Sequence, residues 1–222
     1  MKVQAGRYNN KLAEGNVYDN RFDGVQVAYG KDVKLVAGYG KAAQMNGVND
    51  ASTAKTNAED TYYAELSGKV DKLSLVAGYY NFENVKEAKD VDDTIWTVAA
   101  NYAFDKNFKL GAMYLNGDKD KCDDDGFVVT ASYKGAKAAK AGSWGLVAKY
   151  YDQGASTYID HTMNGLADNE LFTSAEGFKG YSVAANYTFA KNIVGQVEWY
   201  DLEQKEGNKD AQTLWSQVVF TF

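Results

Sequence analysis

Along most of the chain, apolar and polar residues trade places at every second position, the period of a β-strand with one greasy and one wet face. About twelve such segments can be drawn. They lie near Lys2–Tyr8, Arg21–Gly30, Val33–Gly40, Thr61–Val70, Leu73–Phe82, Thr94–Phe104, Phe108–Gly117, Gly126–Lys134, Ser143–Asp152, Gly180–Phe189, Ile193–Leu202 and Thr213–Phe222. Most approach the roughly 9–11 residues that a tilted strand needs to cross a bilayer. Their connections alternate in length. Short turns fall at Lys31-Asp32, Asp71-Lys72, Asp105-Lys106-Asn107 and Ala190-Lys191-Asn192, with a longer one from Gly135 to Gly142. Between them come the polar loops Asn9–Asn20, Lys41–Asp60, Glu83–Asp93, Asp118–Asp125, Gln153–Lys179 and Glu203–Gln212. Short turns on one side and long loops on the other are the sidedness of a transmembrane β-barrel, and an even strand number brings both chain ends to the short-turn side.

The apolar face carries a second regularity. Val33/Leu35/Ala37/Tyr39, Leu73/Leu75/Ala77/Tyr79, Phe108/Leu110/Ala112/Tyr114, Trp144/Leu146/Ala148/Tyr150 and Ile193/Gly195/Val197/Trp199 repeat one order, each ending on an aromatic. Descending strands mirror it, with Tyr102 and Phe104, Tyr133, and Tyr187 and Phe189 at their lower ends. Two girdles of aromatics around an apolar band are what a bilayer selects, because Tyr and Trp are amphipathic and settle at its interfaces. A soluble sandwich alternates too, but has no reason to hold aromatics at matching heights. The expected fold is therefore all-β, an antiparallel transmembrane barrel over residues 1–222.

The opposite face carries Lys34, Gly38, Glu65, Ser67, Lys69, Thr97, Asn101, Lys109, Gly111, Thr130, Ser132, Lys134, Lys149, Ser182, Asn186, Thr188, Gln196 and Glu198. Small and charged side chains line water rather than fill a core. In a closed barrel that face is the lumen, which implies a channel for passive diffusion of ions and small polar solutes. Lys34, Glu65, Lys69, Lys109, Lys149 and Glu198 are its expected charged lining.

Composition changes the picture in a few places. Hydrophobic residues are 45% of the chain, an ordinary share, so only their order points to a membrane. There is no proline among 222 residues and there are 17 tyrosines, which suits many paired strands meeting an interface. The net charge of −6 argues against a nucleic-acid partner, which would need a basic patch. Cys122, the single cysteine, supplies neither disulfide nor zinc site. Asp118, Asp120, Asp123, Asp124 and Asp125 surround it without the glycine of a calcium loop, so a solvated loop tip is expected and no metal. An enzyme would need a general base beside a nucleophile or carboxylate. The only histidine is His161, next to Asp160 and near Ser156, and this makes no triad. No catalytic residue and no cofactor are expected.

The terminal segment Thr213-Leu214-Trp215-Ser216-Gln217-Val218-Val219-Phe220-Thr221-Phe222 resembles the closing strand of bacterial outer-membrane barrels, with Ser216 departing from its apolar rule. By that resemblance Val218, Phe220 and Phe222 form the signal read by the barrel-assembly machinery. Gly6-Arg7-Tyr8-Asn9 and Arg21-Phe22-Asp23-Gly24-Val25 are similar to the strands flanking the pore-constricting loop of general porins. Tyr18–Val25, Gly180–Asn192 and Trp215–Phe222 most resemble the porins of diderm Firmicutes (Negativicutes) that carry an S-layer-homology anchor.

The resemblance implies an outer-membrane location, contact with outer-membrane lipid and lipopolysaccharide, and a homotrimer with a sixteen-stranded pore in each subunit. The visible strands would then be the C-terminal part of that barrel, with further strands and an anchor upstream; the alternative is a complete barrel of about twelve strands. A structural tether between membrane and wall is a second functional reading. The resemblance also assigns Arg7 and Arg21, the chain's only arginines, to a basic ladder facing Glu14 and Asp19 of the constricting loop. A planar, permanently charged guanidinium suits that role; the alternative is two solvated interface arginines. Counted strictly, Arg7 shares parity with Val3 and Ala5, and Arg21 with outward Val25 and Val27. Arg21 would need a bulge or a place above the membrane.

Overall fold

The alternation resolves into one antiparallel sheet in a computed structural model, which describes residues 1–42, 60–83, 93–118, 122–159, 177–207 and 209–222. Its strands are β1 (Lys2–Leu12), β2 (Tyr18–Gly30), β3 (Val33–Ala42), β4 (Asp60–Val70), β5 (Leu73–Glu83), β6 (Asp93–Ala103), β7 (Phe108–Gly117), β8 (Asp125–Lys134), β9 (Trp144–Gln153), β10 (Phe178–Ala190), β11 (Ile193–Gln204) and β12 (Asp210–Phe220). Each pairs with its sequence neighbours, in the order β1 to β12. All twelve expected segments are strands, several of them longer at the loop end. Among the described residues no ladder joins β1 to β12, so the sheet keeps two free edges.

Local chemistry sets the short turns. Asp105 accepts hydrogen bonds from the backbone N–H groups of Asn107 (2.6 Å) and Phe108 (2.9 Å), closing an Asx turn that reverses the chain between β6 and β7. Asp71 and Asn192 take positive φ at the β4–β5 and β10–β11 turns, a conformation that short polar side chains tolerate.

The outward face is greasy and exposed. Tyr39, Tyr62, Tyr79, Trp96, Tyr114, Phe127, Tyr150, Tyr181 and Trp199 form its upper level. Cross-strand register lines them up: Tyr39 opposes Tyr62, Tyr79 opposes Trp96, Tyr114 opposes Phe127 and Tyr150 opposes Tyr181. Tyr29, Tyr102, Phe104, Phe108, Tyr133, Trp144, Tyr187, Phe189 and Phe220 form the lower level. The two levels are six to eight residues apart on a strand, roughly 20–27 Å along it. The expected girdle residues all stand in these rows. At the end of the chain, Val218, Phe220 and Phe222 are exposed, the first two on β12.

The inward face departs from expectation. Its half toward the short turns is polar or small, as anticipated. Its half toward the long loops is a buried apolar layer that includes Tyr63, Tyr80, Phe82, Leu115, Tyr151 and Leu202. The reason is a loop that folds inward and needs a greasy seat, described below. Glycines make room for this layer: a Cβ at Gly78 would lie 2.1 Å from the Tyr80 hydroxyl, and one at Gly38 would lie 2.4 Å from the Tyr63 ring. Gly78→Val should therefore push Tyr80 off its seat and destabilise the fold by about 1–3 kcal/mol. Denaturant unfolding followed by tryptophan fluorescence measures this; an unchanged midpoint would mean the ring has other space.

Candidate functional site: the in-folded tip of the first hairpin

The β1–β2 hairpin is longer than its sequence suggests. Pairing runs on through Asn9↔Arg21, Asn10↔Asn20 and Lys11↔Asp19 to Leu12↔Tyr18, leaving only residues 13–17 as a loop. Most of the expected loop Asn9–Asn20 is thus strand. The tip is a sharp reversal, with Ala13, Glu14 and Gly15 all at positive φ. That conformation is costly for Ala13 and Glu14, and it persists because contacts hold it.

Those contacts come from around the sheet. The Ala13 N–H donates to Glu65 Oε1 of β4 at 3.0 Å, and the Tyr80 hydroxyl of β5 donates to the same oxygen at 2.8 Å. Asn101 of β6 donates to Glu14 at 3.4 Å. Asn16 Nδ2 reaches Met113 Sδ of β7 at 3.6 Å and the Ala13 carbonyl at 3.0 Å. From β9, Gln153 Nε2 donates to the Asn16 carbonyl at 3.2 Å. A second loop segment meets the first where the Ile159 N–H donates to the Val17 carbonyl at 2.9 Å. Apolar side chains fill in between: Tyr18 against Phe82 with ring centroids 6.1 Å apart, Phe22 against Tyr63 at 5.8 Å, and Tyr158 against Phe178 at 5.4 Å. A hairpin reaching Glu65, Asn101, Met113 and Gln153 crosses the concave interior of the sheet.

Charge gathers beneath it. Lys11 and Asp19 form an ion pair at 3.3 Å across the hairpin. Lys149, half-buried on the inner face of β9, has Lys11, Glu14, Glu198 and Asp19 as its charged neighbours, and its ammonium lies 5.9 Å from the Tyr151 ring centroid. Three carboxylates and two ammonium groups from three parts of the chain therefore share one region of the interior. Of the expected lining, Glu14, Asp19, Glu65, Lys149 and Glu198 are brought together around the tip. Lys34, Lys69 and Lys109 lie elsewhere, near the short-turn ends of β3, β4 and β7, exposed and opposite Ser67, Ser74 and Ser132. Lys134 turns to the outer rim, its ammonium 4.2 Å from the Trp144 ring centroid.

The two arginines are a correction. Inward Tyr8 packs on Phe22 with centroids 5.7 Å apart, so strict alternation sends Arg7 and its partner Asp23 to the outside. Arg7 clamps Asp23 with two hydrogen bonds, at 2.6 and 2.5 Å. Arg21, one residue before Phe22, is exposed. In register, Arg7, Asp23 and Lys41 stand two residues above the level of Tyr39, beyond the apolar band. They form no basic ladder inside the sheet. The cations beside the tip are Lys11 and Lys149; Lys11 shares strand parity with Arg7 and comes near Lys149 because the end of the hairpin folds inward.

The long-loop end is tied as well. Lys205, after β11, bridges Asp123 and Asp152 at 2.6 Å each. Burial works to lower its pKa, but hydrogen bonds and charge from the two carboxylates outweigh it and raise the value above the usual lysine range. Asp123, Asp124 and Asp125 do cluster, and Asp123 is occupied with this cation. His161, Asp160 and Asp120 lie outside the described residues, as do the greater parts of the loops after β3, β5 and β9.

Compared with known proteins, the chain matches no family model and no curated sequence.

Glu65 is the acceptor on which the tip's backbone depends. Glu65→Ala strands the Ala13 N–H, a loss of about 1–3 kcal/mol for a buried unsatisfied group, and leaves the Tyr80 hydroxyl only its 3.5 Å contact with Thr97 Oγ1. Amide hydrogen exchange should then speed up at residues 12–17 while the β4–β5 ladder stays protected. Unchanged exchange at the tip would mean that packing alone holds it.

Proposed function

We propose that the chain is an outer-membrane β-barrel protein of the porin type, passing ions and small polar solutes through an interior narrowed by the β1–β2 tip. The observation that carries this reading is the conjunction of an exposed apolar outer face banded by two aromatic levels with charged groups gathered inside. Lipid explains the first and enclosed water the second. In such a setting the free edges β1 and β12 must be satisfied, by each other or by further strands, because unpaired backbone groups cost several kcal/mol each in hydrocarbon. The resemblance to anchored porins, a homotrimeric state and insertion by the assembly machinery belong to the same proposal.

Transport in this reading needs no chemistry beyond solvation. The tip narrows the path, and Glu14, Asp19 and Glu198 set against Lys11 and Lys149 make a field across it rather than a ring of one sign. Such a field orients water and dipolar solutes and leaves a slight preference for cations, since the carboxylates outnumber the ammonium groups. A second reading has its own support. The apolar seat of the tip is tight, and a barrel stoppered by Leu12, Val17, Tyr18 and Tyr158 would be a structural element that links membrane and wall.

Single-channel recording in planar bilayers separates the two. The pore reading expects discrete conductance, raised several-fold by Glu65→Ala as the tip loosens, and selectivity moved toward anions by Glu14→Gln with Glu198→Gln. Silence of both the natural protein and Glu65→Ala decides for the stoppered element. Placement in lipid has a separate test on β8. Ala131→Arg on the outer face should cost about 2–4 kcal/mol of stability in a bilayer, whereas Ser132→Arg, one residue along on the inner face, should cost far less. Equal costs measured by denaturant titration in liposomes would remove the membrane assignment.

A further inference from the structure

The outer face is not uniform. Across β9 to β12 it sinks into a groove of about 680 Å³ lined by residues that include Trp144, Leu146, Ala185, Phe189, Gly195 and Val218. That volume falls within the roughly 300–1,000 Å³ of small-molecule sites. Gly195 is required there, because a Cβ would lie 2.4 Å from the Phe189 ring. The groove is apolar and lies at the short-turn end.

Its rim differs from every other short turn. The connection between β8 and β9 is strapped onto the β10–β11 turn by hydrogen bonds from the Asn192 N–H to the Ala138 carbonyl (2.7 Å) and from the Gly142 N–H to the Thr188 carbonyl (2.8 Å). The Thr188 hydroxyl adds one to the Lys137 carbonyl at 3.2 Å. These straps put Lys137, Lys140 and Lys191, all exposed, on one rim with Lys134, which stands over Trp144. No aspartate or glutamate occurs from Lys134 to Trp144, from Thr188 to Gly195, or from Gln217 to Phe222. The turns at Lys31-Asp32, Asp71-Lys72 and Asp105-Lys106 each set an acid beside the lysine. A rim of four lysines with no acidic side chain among them, over an apolar trough, matches a ligand with an anionic head and an aliphatic tail.

We propose that this groove binds one anionic phospholipid, an acyl chain lying along Ala185 and Gly195 and the phosphate resting among Lys134, Lys137, Lys140 and Lys191. The proposal rests on the membrane reading above and deepens it, turning part of the greasy face into a selective lipid site. Lysine suits a headgroup phosphate as a mobile point charge, and juxtaposed lysines near a bilayer surface add their attractions.

The test uses the full chain in nanodiscs of equal parts phosphatidylglycerol and phosphatidylcholine. After release into mild detergent, native mass spectrometry counts the lipid retained. The natural protein should keep phosphatidylglycerol at least several-fold over phosphatidylcholine. The quadruple variant Lys134→Gln, Lys137→Gln, Lys140→Gln and Lys191→Gln, which keeps a flexible polar side chain and removes charge, should lose that preference. Ala185→Phe, which fills the trough, should lower retention of both lipids. Equal retention by the natural protein, or an undiminished preference in the quadruple variant, overturns the proposal. Liposome flotation keeps the two levels apart: a chain that never enters the bilayer defeats the membrane reading and this site with it. A chain that enters and shows no preference defeats the lipid site alone.

Discussion

A β-strand has two faces and no third. Once a ladder fixes its neighbours, every side chain is assigned to one side of the sheet or the other, and a one-residue slip would exchange them all. In this chain that constraint holds through eleven consecutive pairings, so a small-scale alternation becomes a molecule-wide division. One face carries Leu, Val and Ala between two aromatic levels. The other carries charge and small residues in one half and a packed apolar layer in the next. Everything proposed about function depends on those two faces meeting different surroundings.

The apolar layer on the inner face follows from the first hairpin. By turning inward, β1 and β2 bring Leu12, Val17 and Tyr18 under the concave side of the sheet, and these can be buried only against other apolar groups. Tyr63, Tyr80, Phe82, Tyr151 and Phe178 supply that surface. The polar part of the tip is matched in the same way, through Glu65, Asn101 and Gln153, because a buried N–H or carbonyl without a partner is expensive. A tip seated on both counts stays in place despite the positive φ at Ala13 and Glu14. It also occupies part of the concave side of the sheet, which is how a feature of folding would bear on the proposed permeation.

Much of this was legible in the residues. The strand set was, because twelve segments share one period and are set off by turn chemistry such as that of Asp105. The outer aromatic levels were too, because they repeat at matching places. The inner apolar layer was misjudged, although the chain does mark it. Tyr62-Tyr63, Tyr79-Tyr80, Tyr150-Tyr151 and Trp199-Tyr200 are aromatic doublets at which alternation breaks. The first member of each faces out at the upper level, and the second is buried inside. A doublet read as one girdle position hides its inner half. The arginines failed for a related reason: a likeness of local sequence outweighed parity, and parity was right. The grouping of Lys11, Lys149, Glu14 and Glu198 could not be read from the chain, since it arises only when the first hairpin folds over strands far from it in sequence.

The most direct test of the two-faced sheet is accessibility measured residue by residue along β9 in lipid bilayers. Single spin labels at positions 144 to 151, in a Cys122→Ser background, report collisions with oxygen, which concentrates in hydrocarbon, and with a water-soluble nickel chelate. The account predicts high oxygen exposure at Trp144, Leu146, Ala148 and Tyr150 and low exposure at Gly145, Val147, Lys149 and Tyr151. Readings that fail to alternate, or chelate exposure dominating on the even-numbered positions, would contradict it.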